Sequence, residues 1–190
     1  IYFNNIVYEK SLEKFKKDKI DAIYCAGDIL EGMSGRPGHI YELEDLGYDH
    51  QIKKAVKLLS EYNYPFYFIT GNHDRWFKIK SDAGIEVGKE LEEKLKNFNY
   101  LGEMEATINL NNKLNLKLTH RGQTAYALSY PGQKMINSLQ GGTKPNLLIN
   151  GHLHKSLMMD YRNIIYLEAG TFQNQTEFMA MKGSPAMVGF

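Results

Sequence analysis

Four clusters of polar residues stand directly after short apolar runs: Gly27-Asp28, Gly71-Asn72-His73-Asp74, His120, and Gly151-His152-Leu153-His154. Their types make a ligand set. Asp28 offers an anionic oxygen able to bridge two cations, Asn72 a neutral carbonyl oxygen, and His120, His152 and His154 imidazole nitrogen. Nitrogen and oxygen donors without cysteine suit manganese, iron, zinc, nickel or cobalt. His152 and His154 are two residues apart, so an extended Gly151–His154 segment would aim both rings the same way, as a helix would not. Gly-Asp alone is a common turn, and a lone histidine after a strand is more often a hydrogen-bonded structural residue than a ligand. Gly-Asn-His-Asp is rarer: average residue usage produces it in roughly one chain of this size per thousand. All four clusters, each after a strand, make coincidence a poor explanation.

Residues so far apart in the chain need a scaffold that gathers them. In open α/β sheets, ligands bind at the carboxyl ends of strands, and a glycine there permits a sharp turn and close backbone approach. The flanking sequence supplies the elements. Ile20–Ala26 and Pro65–Thr70 read as strands, each ending in glycine. Helical spacing is expected over Ser11–Lys19, over Gln51–Tyr62 (Ile52, Ala55, Val56 and Leu59 on one face) and over Ile85–Phe98. Glu31–Gly47 reads as a long loop. Ala106–Leu110 and Leu114–Thr119 flank the turn-like Asn111-Asn112, a hairpin signal. Thr124–Leu139 reads as a helix closed by Gly141-Gly142. Asn146–Asn150, Leu157–Tyr161 and Ile164–Leu167 are three further strands. The order predicts an α/β fold with a mixed sheet or two packed sheets.

Composition narrows the rest. With 190 residues, 43% hydrophobic and 24% charged, the chain can bury a full core, which excludes a disordered or collagen-like protein. A net charge of +1 argues against nucleic-acid binding by bulk charge alone. The single Cys25 forms no internal disulfide and points to a reducing, cytoplasmic setting; within a strand it reads as a small buried residue. No apolar run approaches the roughly 20 residues that span a bilayer, so no membrane partner is expected.

The order Gly-Asp, Gly-Asn-His-Asp, His, Gly-His-x-His resembles that of the calcineurin-like metallophosphoesterases, over Gly27 to His154. The resemblance implies a four-layer αββα sandwich with mixed β-sheets and two divalent cations, manganese foremost. By the same resemblance Asp28 bridges the cations, Asn72, His120 and His152 complete the second site, and His154 belongs to the first. His73 becomes the catalytic histidine at the leaving group, oriented by Asp74. The reaction would be hydrolysis of a phosphodiester or phosphomonoester by attack of a metal-bridged hydroxide on phosphorus. Aspartate at the end of Gly-Asn-His-Asp looks closer to the nuclease and phosphodiesterase branches than to the Ser/Thr phosphatases.

One departure is large. The family's opening Asp-x-His, which binds the first metal, occurs nowhere in the 190 residues. The expectation is a single domain over residues 1–190, cut short at its N-terminus and also at its C-terminus, with the Asp-x-His strand upstream of Ile1. Two other function classes stand beside the phosphoesterase: a DNA nuclease subunit of a repair-type complex with an ATPase partner, and a non-catalytic scaffold that has lost the first metal site. Three arginines could contact phosphate: Arg36 in the Glu31–His50 stretch, and Arg75 and Arg121, each directly after a motif residue. His39 and His50 lie in no motif and are expected as solvated loop residues.

Overall fold

The computed structural model describes residues 2–80, 84–123 and 125–190. Helix α1 (Asn5–Asp18) opens on Asn4, whose side chain accepts from the Val7 N–H, and carries Lys16 and Lys17 in its last turn. Both features satisfy the partial charges that a helix leaves at its ends. Strand β1 (Ile23–Ala26), the short helix α2 (His39–Glu42), α3 (Tyr48–Leu59) and strand β2 (Phe66–Thr70) follow. Next come α4 (Trp76–Ile79), α5 (Val87–Lys94), and strands β3 (Phe98–Glu103), β4 (Glu105–Asn109) and β5 (Asn115–His120). Helix α6 (Tyr130–Asn137), strands β6 (Leu147–Gly151), β7 (Leu157–Tyr161) and β8 (Ile164–Glu168), and α7 (Glu177–Met181) complete the order.

Two sheets form. The first is parallel, in the order β1-β2-β3. The second runs β4-β5-β6-β8-β7, parallel at its centre and antiparallel at both ends. Period-two alternation decides which side chains meet. In the first sheet Phe66 and Phe68 of β2 join the cluster under α1, α3 and α5, while Ile69 faces the second sheet. In the second, Leu116, Leu118, Leu147 and Ile149 face the first sheet, while Leu148, Ile164 and Tyr166 pack with Met135 and Ile136 of α6. The layers are therefore helix, sheet, sheet, helix: the expected αββα sandwich. No helix among the described residues is long and apolar enough to cross a membrane.

Helix α1 starts six residues before the expected Ser11, and α3 starts and ends three residues before the expected Gln51–Tyr62; three further differences have a physical reason. The helix expected to Phe98 stops at Lys94, and Phe98–Glu103 becomes β3, whose Phe98 ring stacks on Phe66 at 4.2 Å. The helix expected over Thr124–Leu139 starts at Tyr130, because Pro131 suits a first turn and not a helix interior; Thr124 itself lies outside the described residues. The Glu31–Gly47 loop contains α2, and His39 at its start is buried, 2% exposed, rather than solvated. The Asn111-Asn112 hairpin forms as expected, in the register Asn109↔Asn115.

Candidate metal centre

The parallel strands deliver the polar clusters to one edge. Asp28 follows β1 and Asn72 follows β2, which pair in register up to Ala26↔Ile69. His120 ends β5 opposite Gly151, the last residue of β6, with His152 next. The two sheets approach so closely here that side chains must be omitted. A Cβ on Gly27, itself in a left-handed conformation (φ 91), would lie 2.7 Å from His120 Nδ1.

Four donor atoms meet. His120 Nε2 lies 2.8 Å from Asp28 Oδ2 and 3.0 Å from Asn72 Oδ1. His152 Nδ1 lies 2.8 Å from the same Asn72 oxygen. Asp28, His120 and His152 each place a ligand atom within 4.8 Å of the others. Two ligands held about 2.1 Å from one cation at right angles stand about 3.0 Å apart, so these spacings fit a divalent ion. His154 is not among these three, although its Nδ1 is buried without a hydrogen-bond partner among the described residues. The extended Gly151–His154 segment foreseen from the i, i+2 spacing is not what forms. His152 (φ 82) and His154 (φ 53) are left-handed, as is Asp28 (φ 55), a conformation that costs roughly 1–2 kcal/mol per residue and tends to persist at functional sites.

The electrostatics of Asp28, His152 and His154 point the same way, while burial lowers the His120 imidazole but the Asp28 hydrogen bond and charge hold it above its ordinary value. Burial pushes the Asp28 carboxyl up, but the His120 hydrogen bond and the His73 and His120 charges outweigh it, and the carboxylate is favoured. Burial, reinforced by the His120 charge, holds His152 below its ordinary value. Burial pushes the His154 imidazole down to about 4. Both rings are therefore neutral near pH 7, the form that donates a lone pair.

His73 stands beside this group. Its Nδ1 is 2.7 Å from the backbone oxygen of Glu31 and 3.7 Å from the Glu31 carboxylate. A carbonyl only accepts, so Nδ1 carries the proton and Nε2 is left for other work. Burial lowers the affinity of His73 for a second proton, but the Asp28 and Glu31 carboxylates more than restore it. The group that His73 Nδ1 faces is therefore Glu31, where the resemblance implied Asp74. Asp74 instead accepts backbone N–H bonds from Ile29 (3.2 Å), Leu30 (2.8 Å) and Gly71 (2.9 Å), clamping the Asp28 loop to the Asn72 loop.

Sequence reasoning passed over Glu31, although it stands three residues after Asp28 in the same Gly-flanked turn. Its carboxylate is held by His39 Nε2 at 3.2 Å and by Gln173 Nε2 at 2.6 Å. The arginines offered for phosphate all have carboxylate partners. Arg36 is bidentate with Glu42 (3.2 and 2.6 Å) and lies over the Phe178 ring; Arg75 pairs with Glu103 at 3.2 Å; Arg121 pairs with Glu105. His50, exposed on α3, contacts only the Leu46 carbonyl among the described residues.

Comparison with known proteins adds the family. The sequence profile of the calcineurin-like phosphoesterases matches residues 3–156. No curated protein sequence matches the chain. Among solved structures, it is similar to a novel archaeal phosphodiesterase at 14% identity and a TM-score of 0.52, covering 86% of this chain and 74% of that one. It is also similar to a single mutant of Vps29 from Entamoeba histolytica (12% identity, TM-score 0.40, 79% and 72% covered). A third likeness is to a conserved protein of Streptococcus pneumoniae described as a predicted phosphoesterase (14% identity, TM-score 0.37, 61% and 63% covered).

Proposed function

This chain belongs to the calcineurin-like phosphoesterase family, and on that premise we propose that it is a metal-dependent phosphodiesterase whose cation is held by Asp28, Asn72, His120 and His152. The observation that carries this reading is the run of short contacts from Asp28 Oδ2 to His120 Nε2 (2.8 Å), from His120 Nε2 to Asn72 Oδ1 (3.0 Å) and from Asn72 Oδ1 to His152 Nδ1 (2.8 Å). A divalent cation bound there, with manganese the ion to try first, supplies charge neutralisation for phosphoryl oxygens and lowers the pKa of water. The chain's own residues do the rest. His73, with Nδ1 fixed on the Glu31 carbonyl, offers Nε2 to protonate the leaving oxygen. The Glu31 carboxylate stabilises the charged ring, and Asp74 keeps the two ligand-bearing loops together.

The arginines favour a diester over a monoester. A phosphomonoester is a dianion near neutral pH and gains from an unpaired guanidinium. Arg36, Arg75 and Arg121 each already face a carboxylate, which suits the single charge of a diester. The diester class includes nucleic-acid backbones.

A second reading, the non-catalytic scaffold, rests on one observation. Within residues 1–190 the family resemblance assigns two donors, Asp28 and His154, to the first cation position, against four for the second. Mn2+ titration followed by assay on bis(p-nitrophenyl) phosphate and p-nitrophenyl phosphate separates the cases. Binding with faster diester cleavage supports the phosphodiesterase. Binding with no turnover of either ester supports the scaffold. Absence of Mn2+ binding overturns the metal centre itself.

A further inference from the structure

Behind the donor atoms, on the opposite face of the five-stranded sheet, lies a buried polar group that sequence motifs do not mark. Leu148 and Asn150 of β6 face α6, as do Ile164, Tyr166 and Glu168 of β8 by the same alternation. Asn150, Tyr166 and Thr119 are fully buried and Glu168 nearly so. Asn150 Oδ1 accepts from Thr119 Oγ1 at 2.8 Å and from the Arg121 N–H at 3.2 Å. Its Nδ2 lies 3.0 Å from the Arg121 carbonyl, 2.8 Å from the Gly151 carbonyl and 3.0 Å from Glu168 Oε1.

One amide therefore grips both backbone groups of the residue after His120 and the carbonyl of the residue before His152. The β5–β6 ladder ends at the His120↔Gly151 pair, and the Asn150 amide takes the place of the next rung. Glu168 decides which way that amide points. Glu168 Oε1 and the two carbonyls accept here, Oε2 being engaged by Tyr166, so the NH2 faces them and the oxygen faces the Arg121 N–H. Glu168 is itself fixed by the hydroxyl of Tyr166, which donates to Oε2.

We propose that Asn150 and Glu168 are positioning residues for the metal centre, setting the spacing of His120 and His152 by locking their strand ends from behind. The proposal rests on the metal-centre reading above. Outer groups of this kind change metal affinity by about 10–100-fold when removed.

The test is calorimetric Mn2+ titration of the full chain, with the histidine ring nitrogens followed by NMR in metal-free protein. Asn150→Ala is expected to weaken Mn2+ binding by about 10-fold or more, and Glu168→Leu to do the same. Glu168→Gln, which keeps an acceptor for the amide, is expected to stay within about threefold of the parent, a rescue that follows from the amide-orienting role. Leu148→Ala, a buried truncation in the same strand, controls for lost stability: it should lower the melting temperature yet leave Mn2+ affinity within about twofold, because it touches neither strand end. Equal loss of affinity in Leu148→Ala, or parent-like affinity in folded Asn150→Ala, overturns the proposal. If the parent binds no Mn2+, the metal-centre reading fails, and the NMR arm still decides positioning. Distinct His120 and His152 ring signals in the parent that average in Asn150→Ala support it; unchanged signals overturn it.

Discussion

His120 Nδ1 lies 2.6 Å from the carbonyl oxygen of Ala26, a residue 94 positions earlier and in the other sheet. Since the carbonyl can only accept, this bond fixes the tautomer and the ring plane, and it turns Nε2 towards Asp28 and Asn72. One histidine thereby ties the two sheets together and presents a donor atom. Replacing it with alanine should do two separable things. Mn2+ affinity should fall at least about 100-fold, above the range for outer-shell changes, read by calorimetry. Stability should fall by about 1–3 kcal/mol, because the Ala26 carbonyl is left buried without its partner, read by urea unfolding. His50→Ala, at an exposed ring, should do neither.

Asp74 is a clamp in this structure and not a partner of the His73 ring. Its carboxylate serves three backbone donors from two loops. Asn at this position has one acceptor oxygen and turns an NH2 towards backbone N–H groups. Asp74→Asn should therefore cost about 3 kcal/mol of stability, as expected when buried donors lose a charged acceptor. The pH profile of any residual turnover should keep its shape. A stable variant with a shifted profile would return Asp74 to the role of orienting His73.

Glu31 and His73 make the complementary pair. His73→Ala should lower kcat at least about 100-fold, the usual scale for a general acid, with Mn2+ affinity unchanged, because its ring lies outside the four-donor group. Glu31→Gln keeps the backbone carbonyl that holds Nδ1 but removes the charge 3.7 Å away. It should lower kcat about tenfold with KM little changed, and shift the alkaline limb of the profile, where the general acid loses its proton, to lower pH. Loss of Mn2+ from His73→Ala would make His73 a ligand.

The order of strands and helices and the candidate donor clusters were legible in the sequence because they are local signals, whereas the αββα layering was implied by the family resemblance. Strand periodicity, the glycines after Ala26 and Thr70, and the motif residues need only their neighbours to be recognised. Phe98–Glu103 was not legible as a strand: helical spacing continues to Leu95, and only pairing with Phe66 across 32 positions decides otherwise. His39 was misjudged for the same reason, since its burial depends on Glu31 and the Ser34 N–H. The turn at His152–His154 was hidden because i, i+2 spacing says nothing about a left-handed backbone. Asn150 and Glu168 carry no motif at all; only strand register places them together.

Glu168 and His154 give stability opposing pH dependences, and Asp74, pushed up to about 6 by burial and the Asp28 charge, acts in the same direction as Glu168. Burial pushes the Glu168 carboxyl up to about 7 against the hydrogen bonds from Tyr166 and Asn150. Between the ordinary glutamate range and pH 7 the native state holds a proton that the unfolded state has released, so stability falls as pH rises through this window. The full effect is at most about 3 kcal/mol. His154 works the other way. Its imidazole is held down to about 4 by burial, so the unfolded chain takes up a proton first and stability falls as pH drops from about 6.5 towards 4. Urea unfolding in EDTA at steps from pH 4 to pH 8 separates them. Glu168→Gln removes only the first dependence, so its stability relative to the parent should rise from about pH 5 to about pH 7 and level off above that. His154→Gln removes only the second, and its gain should appear below pH 6.5. A Glu168→Gln difference that stays constant across pH 5–8 would mean that the carboxyl titrates at its ordinary value and that water reaches it.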